Sequence, residues 1–173
     1  GSQSNGLSSR ILSTGATNNS QAVNFIPVGA SRQVAAGSTT KWYIAARFKI
    51  TTTGHDGQTA LFIGIANAQA TGSYAFFGIT STTTTKYTAE VGGSNDIQKD
   101  STITMDTNWH IGELWCDGTT QYFSIDDETP VSLGGTLGAP TADMGRCLHV
   151  YNGTTAANRA FEIDWMLICS SPP

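Results

Sequence analysis

Charged residues are scarce in this chain, making up only 13% of its 173 residues, which is about half the share of an ordinary soluble domain. The nine Lys and Arg are scattered along the sequence, so no basic face can be assembled, which argues against a nucleic-acid partner. No apolar run reaches the length of a membrane span, and we therefore expect no membrane insertion. Solubility must come from Thr, Ser, Asn, Gln and Gly, a composition typical of secreted and virion β-proteins.

Cysteines are few as well. Cys116, Cys147 and Cys169 lie far apart, without the paired spacing that a zinc site needs. An odd count argues against an extracellular scaffold built on disulfides. We expect three small thiols that are in the core or half-buried. The alternative is one disulfide, such as one between Cys116 and Cys169, together with a free cysteine.

Helical periodicity is also missing, because no helix-length stretch has apolar residues spaced three and four apart. Period-two alternation recurs instead, interrupted by clusters of Gly, Asn, Asp and Thr. The clearest units are a strand at residues 41–51 and a hairpin at residues 109–128, turned at Asp117-Gly118. Further strands are predicted around Ile11 and at residues 23–28, 60–66, 73–80, 147–153 and 160–169.

About ten to twelve short strands with turn signals between them predict an all-β sandwich or barrel. We find neither an internal repeat nor a linker, so we expect a single domain over residues 1–173. Residues 1–20 form a polar N-terminal segment. The opening Gly1-Ser2 is typical of a tag remnant.

The hairpin WHIGELWCDGTTQYFSIDD resembles the signature of laminin G-like and concanavalin A-like domains. Trp109-His110 stand at its entry, Asp117-Gly118 at its turn and Asp126 at its end. KWYIAARFKI is similar to an early strand of laminarinase-like glucanases, with Arg47 at the arginine position. FEIDWMLI is similar to their last strand. The resemblance implies a two-sheet antiparallel β-sandwich, the jelly roll of concanavalin A-like lectins and glucanases.

A second resemblance concerns composition. The lightly charged sequence, rich in Thr, Ser, Gly and Ala, is similar to small β-sandwich domains of phage structural proteins. Such domains decorate a capsid, tail or fibre. This resemblance implies a place in a virion.

The carboxylates of a glucanase are not evident. Retaining enzymes of this fold carry two carboxylates about 5 Å apart, supplied by an alternating Glu-x-Asp cluster on one inner strand. The corresponding segment, residues 73–91, contains only Glu90. Glu162 and Asp164 lie on the final strand, and we interpret them as edge carboxylates of a terminal strand. We therefore predict no catalytic residues and no enzyme activity.

The densest acidic cluster is Asp126, Asp127 and Glu128. A solvated turn is the simple interpretation, and a calcium site is the alternative, because Ca²⁺ favours clustered oxygen ligands. No second oxygen-rich segment is fixed nearby by the sequence, so we assign no metal and no cofactor. His110, at a strand entry, is expected to be packed and hydrogen-bonded.

A ligand site is predicted on the outward phase of two strands. Phased as in the domains it resembles, the hairpin points Gly112, Leu114, Cys116, Phe123 and Ile125 inward. Its outward phase and that of the early strand provide the predicted ligand-binding residues Trp115, Tyr122, Glu113, Arg47 and Tyr43. An outward Trp beside a Tyr and a Glu suits stacking on a sugar ring and hydrogen bonding to its hydroxyls.

Two alternatives remain open for this face. The phase can be inverted, with Trp115 in the core, because the strand has large residues on both faces. The face can also be covered by a neighbouring subunit, since exposed aromatic patches mark protein interfaces as readily as glycan sites.

These observations predict a non-catalytic virion structural or adhesion domain of phage type, such as a decoration or fibre domain, that binds carbohydrate. A free-standing, lectin-like glycan-binding module is the alternative, and a degenerate glucanase is third. The expected partners are a glycan or cell-surface polysaccharide, other virion proteins and further copies of the chain in a symmetric oligomer. The expected location is the virion surface or the extracellular space.

Overall fold

The computed structural model describes residues 10–14, 21–25, 41–51, 60–68, 71–79, 85–92, 96–135, 143–152 and 159–170. All regular structure among these residues is β-strand. None of them forms a helix, and so none forms a helix able to cross a membrane.

Twelve strands form two antiparallel sheets of six. Sheet A contains, in spatial order, β1 (Arg10–Ser13), β12 (Ala160–Ser170), β3 (Trp42–Ile50), β8 (His110–Cys116), β9 (Thr120–Ile125) and β10 (Val131–Gly135). Sheet B contains, in spatial order, β2 (Gln21–Phe25), β11 (Gly145–Tyr151), β4 (Ala60–Ala68), β5 (Thr71–Ile79), β6 (Lys86–Gly92) and β7 (Ile97–Thr104). The predicted all-β, two-sheet antiparallel sandwich is confirmed. Of the strand predicted at 23–28, residues 26–28 lie outside the described residues.

The core lies between the two sheets and is built from one phase of each strand. The predicted inward residues of the hairpin, Gly112, Leu114, Cys116, Phe123 and Ile125, are all buried. Residues that share this interior are Trp42, Ile44, Phe48 and Ile50 from β3 and Ile63, Ile65, Phe77, Ile79 and Tyr87 from sheet B. The predicted hairpin phase is confirmed, and Trp115 is not a core residue.

The turn between β8 and β9 explains why the hairpin could be predicted from the sequence. The Asp117 Oδ1 accepts the backbone N–H groups of Thr119 and Thr120, each at 2.9 Å. Gly118 has a φ of 103°, a left-handed conformation that glycine adopts without steric cost. The Asp-Gly pair therefore sets the register of the two strands.

The final strand occupies a different place from the one we expected. β12 lies between β1 and β3, and is not an edge strand. Glu162 Oε2 is 3.2 Å from the Nζ of Lys49, and Asp164 Oδ2 is 2.6 Å from Nη1 of Arg47. The interpretation of Glu162 and Asp164 as edge carboxylates is therefore wrong, because both form ion pairs with the neighbouring strand.

All three cysteines are free. Cys116 and Cys147 are buried, whereas Cys169 is exposed. The alternative of a disulfide is wrong, and so is the expectation of burial for Cys169, because the outward phase of β12 carries it to the surface.

Candidate functional site

Three aromatic side chains form a row across the outer face of sheet A, the face turned away from sheet B. Tyr43, Trp115 and Tyr122 are register partners on β3, β8 and β9, so the row spans roughly 10 Å, two strand spacings. The rings of Trp115 and Tyr122 are stacked, with centroids 5.6 Å apart. We call these three residues the aromatic row. All three are half-buried, so part of each ring is accessible.

The carboxylate of Glu113 lies in the neighbouring register row. It accepts hydrogen bonds from the Tyr43 hydroxyl on β3 and, at 3.2 Å, from the Ser124 hydroxyl on β9. Burial, followed by the hydrogen bond to Glu113, raises the pKa of Tyr43 above its ordinary value, so the phenol keeps its proton. A carboxylate has about four acceptor sites, and two donors leave acceptor capacity toward solvent.

A pocket of about 320 Å³ adjoins the aromatic row. Its lining includes Lys41, Trp42, Tyr43, Trp115, Cys169 and Ser170. Because Trp115 contributes to it and its stacking partner Tyr122 does not, the pocket lies on the β3 side of the Trp115 ring. Its volume is at the lower end of the roughly 300–1,000 Å³ typical of small-ligand sites.

Arg47 is on the same face but is not brought to the aromatic row. It is four residues from Tyr43 along β3, roughly 13 Å away. Its Nη1 lies 2.6 Å from Asp164, and its guanidinium carbon is 4.7 Å from the centroid of the Trp109 ring. Four of the five predicted residues thus come together, and Arg47 belongs to a separate ion-paired cluster.

The acidic cluster at residues 126–128 holds the end of the β8–β9 hairpin. Asp126 and Asp127 adopt left-handed φ values of 50° and 58°, which Asp tolerates better than most residues. Glu128 Oε2 accepts the backbone N–H of Thr102 at 2.7 Å and also its hydroxyl, tying the turn to β7. In the part of the chain that the structure describes, no three His, Cys, Asp or Glu side chains are arranged to hold a metal ion.

His110 is buried and bridges two carboxylates. Its Nδ1 lies 2.6 Å from Asp126 Oδ2, and its Nε2 lies 2.9 Å from Asp106 Oδ1. The ring also packs against Tyr87, with a centroid distance of 4.9 Å. The expected packed, hydrogen-bonded histidine is confirmed.

A second group of polar and aromatic residues lies on the outer face of sheet B. Phe62, Phe76 and Tyr74 stack in sequence, with centroid distances of 4.9 and 5.1 Å. The Tyr74 hydroxyl donates to Glu90 Oε1 at 2.6 Å. Burial raises the pKa of Glu90 above its ordinary value, and burial together with the bond to Glu90 raises that of Tyr74. We call these two residues the Tyr74–Glu90 pair.

We did not predict Tyr74 as a site residue. The runs at residues 60–66 and 73–80 are apolar on both phases, so alternation gave no orientation. One signal for an aromatic surface was available in the sequence. Tyr74 and Phe76 are both aromatic and lie on the same phase of β5, whereas the other phase has Ala75 and Phe77.

No protein-family model matches this chain, and no curated protein matches it by sequence. Solved structures do match. Alginate lyase AlyC3 in complex with dimannuronate aligns with a TM-score of 0.63 at 7% identity, over 94% of this chain and 74% of the lyase. A glycoside hydrolase family 16 endo-glucanase from Bacteroides ovatus aligns with a TM-score of 0.57 at 13% identity, over 96% and 83%. The Emp47p carbohydrate recognition domain aligns with a TM-score of 0.58 at 12% identity, over 92% and 82%.

These structures all have concanavalin A-like jelly-roll folds, and this chain has the same fold. The predicted fold resemblance is therefore confirmed. The fold relatives include a carbohydrate-recognition domain and enzymes that act on polysaccharides. Our prediction that the chain is not an enzyme is contradicted by the lyases and glucanases among them.

Proposed function

We propose that this domain binds a polysaccharide chain on the outer face of sheet A. The observation that carries the proposal is the aromatic row beside a 320 Å³ pocket. Sugar rings present C–H faces that pack on aromatic rings, while their hydroxyls need hydrogen-bonding groups at the edge. Trp115 offers the ring and Glu113 the acceptor. The carbohydrate-binding and polysaccharide-active fold relatives support the same class of ligand.

Replacing Trp115 with alanine is expected to raise the Kd for the bound glycan at least about tenfold, equivalent to about 1.4 kcal/mol. The reason is that the substitution removes the pocket wall and the stacking partner of Tyr122. Wild type and variant are compared on a glycan array, and the strongest ligand is then measured by calorimetry.

Trp165→Ala is the matched control, because Trp165 is a half-buried tryptophan of sheet A paired with Arg47, away from the aromatic row. It should bind as wild type does. Equal binding by the Trp115 variant and wild type would remove Trp115 from the site. Light scattering addresses the interface alternative: a wild-type dimer that Trp115→Ala converts to monomers, with no glycan bound by either protein, would assign this face to subunit contact.

We further propose that the domain works outside the cell, on a virion surface or another surface that meets polysaccharide, as an oligomeric adhesion module. The low charge and the Thr-, Ser- and Gly-rich composition support this location. Several copies would raise the avidity for a repeating polymer without any new contact.

Cleavage of a polysaccharide at the outer face of sheet B, apart from the binding face on sheet A, is the second candidate function. The Tyr74–Glu90 pair favours it, because burial raises the pKa of the Glu90 carboxyl, as suits a general acid, and the Tyr74 hydroxyl holds that carboxyl in place. The lyases and glucanases among the fold relatives support this candidate.

Glu90→Gln tests this candidate with a stability control built in. The pKa of Glu90 is higher in the folded protein than in the unfolded chain, so the protonated carboxyl stabilises the fold. This stabilisation is complete below the unfolded pKa of about 4.3 and is lost as the pH rises through the folded pKa. At pH 7 the amide removes the penalty of a buried charge, so the variant should be at least as stable as wild type. Any loss of activity is then chemical.

The assay measures new reducing ends released from alginate and from mixed-linkage glucan. Under this candidate function, wild type releases them and Glu90→Gln does not. Glu162→Gln, which changes a half-buried glutamate of sheet A, should keep full activity. Release by Glu90→Gln at the wild-type rate would exclude the Tyr74–Glu90 pair, and no release by wild type from any polysaccharide tested would remove this candidate function.

A further inference from the structure

We infer that the chain held on the outer face of sheet A is an uncharged polysaccharide, built from neutral hexopyranoses and not from uronates. This inference rests on the proposed binding function. It follows from two features of this face. Its cations Arg47 and Lys49 are ion-paired away from the aromatic row, whereas the carboxylate of Glu113 beside the row has only neutral hydrogen-bond donors.

The positive side chains of the face already have acidic neighbours. Arg47 forms an ion pair with Asp164 at 2.6 Å, and Lys49 forms one with Glu162 at 3.2 Å. Both cations also lie over the Trp109 ring, at 4.7 and 5.1 Å from its centroid. Their charges are thus compensated within the protein, and their positions are fixed away from the aromatic row.

The pocket end of the face carries one further cation. Lys41 lines the pocket, and its charge acts on Asp117. The pKa of Asp117 is lowered first by the backbone N–H groups of Thr120 and Thr119 and further by Lys41. Asp117 therefore offsets part of the charge of Lys41 at this end of the face.

Glu113 differs from Asp164 and Glu162, the carboxylates of this face that are paired with cations. Its hydrogen-bond donors are the neutral hydroxyls of Tyr43 and Ser124, and no described cation forms an ion pair with it. It therefore presents a negative charge and free acceptor sites beside the aromatic row. Sugar hydroxyls can donate to these sites in charge-assisted hydrogen bonds. A uronate carboxylate there would meet a like charge.

The repulsion between Glu113 and a uronate carboxylate is large enough to discriminate between the two classes of polysaccharide. Two like charges about 4 Å apart in surface water repel enough to raise Kd at least about fivefold, and by more where the ligand excludes water. A polyuronate carries one charge per sugar ring, so sliding the chain along the row does not avoid the contact. A neutral hexopyranose polymer has the same ring faces without this penalty.

Cys169 provides a reporter inside the pocket. It is the register partner of Tyr43, lines the pocket and is exposed, whereas Cys116 and Cys147 are buried. A sugar ring seated between Trp115 and Cys169 should cover the thiol. Alkylation by iodoacetamide, which is uncharged, then measures pocket occupancy without an electrostatic bias.

The experiment follows Cys169 alkylation in the full chain by peptide mass spectrometry. The probes are cellohexaose, laminarihexaose, mannohexaose and the acidic hexamannuronate, with binding also measured by calorimetry. At a probe concentration about ten times Kd, at least one neutral hexasaccharide should slow alkylation about tenfold. Hexamannuronate at the same concentration should slow it no more than about threefold, because a Kd at least about fivefold higher leaves the probe at no more than about twice its own Kd. Cys169→Ser should lose the signal, which assigns the alkylation to this thiol.

A charge-reversal variant tests the cause. Glu113→Lys should gain protection by hexamannuronate, and a circular dichroism melt checks that it is folded. If hexamannuronate protects the folded variant no better than it protects wild type, the charge of Glu113 is not what selects the ligand.

Equal or stronger protection of wild type by hexamannuronate would overturn the inference while leaving the proposed binding function intact. If no probe slows alkylation and none gives calorimetric heat, while the glycan array also stays empty, the proposed function itself fails.

Discussion

Replacing Gly112 with alanine is expected to lower the free energy of unfolding by about 1–3 kcal/mol. Gly112 lies on the inward phase of β8, paired with Ala46 and Ile125. A Cβ at this position would stand 2.3 Å from Cε2 and 2.6 Å from Cδ2 of the Phe77 ring, and 3.1 Å from Phe48. Phe77 is fully buried, so its ring has little room to move.

Urea unfolding of a double-mutant cycle measures this contact. Phe77→Leu alone should destabilise the protein through lost packing. Added to Gly112→Ala, however, it should cost less than the sum of the two, because the shorter side chain vacates the space that the new methyl group needs. Strict additivity of the two changes would show that the ring of Phe77 does not limit position 112.

The second large effect is expected at His110. His110→Ala should cost about 2–4 kcal/mol, since it leaves a cavity beside Tyr87 and removes the bridge between two carboxylates. The bridge joins His110, the first residue of β8, to two carboxylates. Asp126 directly follows the last residue of β9, and Asp106 lies four residues before β8 begins. Loss of the bridge should therefore loosen the open end of the hairpin.

His110→Phe separates the two contributions. A phenyl ring keeps the packing against Tyr87 and Phe48 but donates no hydrogen bond, so its loss of stability should be smaller. Both variants are measured by urea unfolding at pH 7. A His110→Ala protein within about 0.5 kcal/mol of wild type, the range of neutral surface changes, would contradict a bridging role.

Acid should weaken the same bridge in wild type. The pKa of Asp106 is lowered first by the Asn108 backbone N–H and then by His110. Its contribution to stability is therefore present above the unfolded pKa of about 3.9 and is lost as pH falls through the folded value.

The β8–β9 hairpin was predictable because its two phases differ in chemistry. The inward phase carries Leu114, Phe123 and Ile125, the outward phase carries Glu113, and an Asp-Gly turn fixes the register. Period-two alternation separates the two phases, and the resemblance to concanavalin A-like domains indicated which phase faces inward. The predicted meeting of Tyr43, Glu113, Trp115 and Tyr122 follows from the two together.

The outer face of sheet B was not predictable in the same way. β4 and β5 are apolar on both phases, so alternation cannot distinguish the core side from the outer side. The Tyr74–Glu90 pair also joins two strands whose partnership the sequence does not state. The prediction of no enzyme activity relied on one missing carboxylate pattern, which excludes one mechanism and leaves others open.

The position of Arg47 was missed for a related reason. Its strand and phase were predicted, but the neighbour on its other side, β12, was not. An arginine between two strands takes the charge partner that the neighbouring strand brings, and here that partner is Asp164. Strand order is set by the whole chain and leaves little trace in local sequence.

The place of β12 also determines when this molecule can be completed during synthesis. The last described strand enters the middle of sheet A and pairs with β1 on one side and β3 on the other. A nascent chain that has not yet released residue 160 from the ribosome leaves β1 without any neighbour in its sheet and β3 with an open edge. Sheet A is therefore completed only once β12 has left the ribosome, and until then the open edge of β3 is a surface that chaperones or other nascent copies can engage.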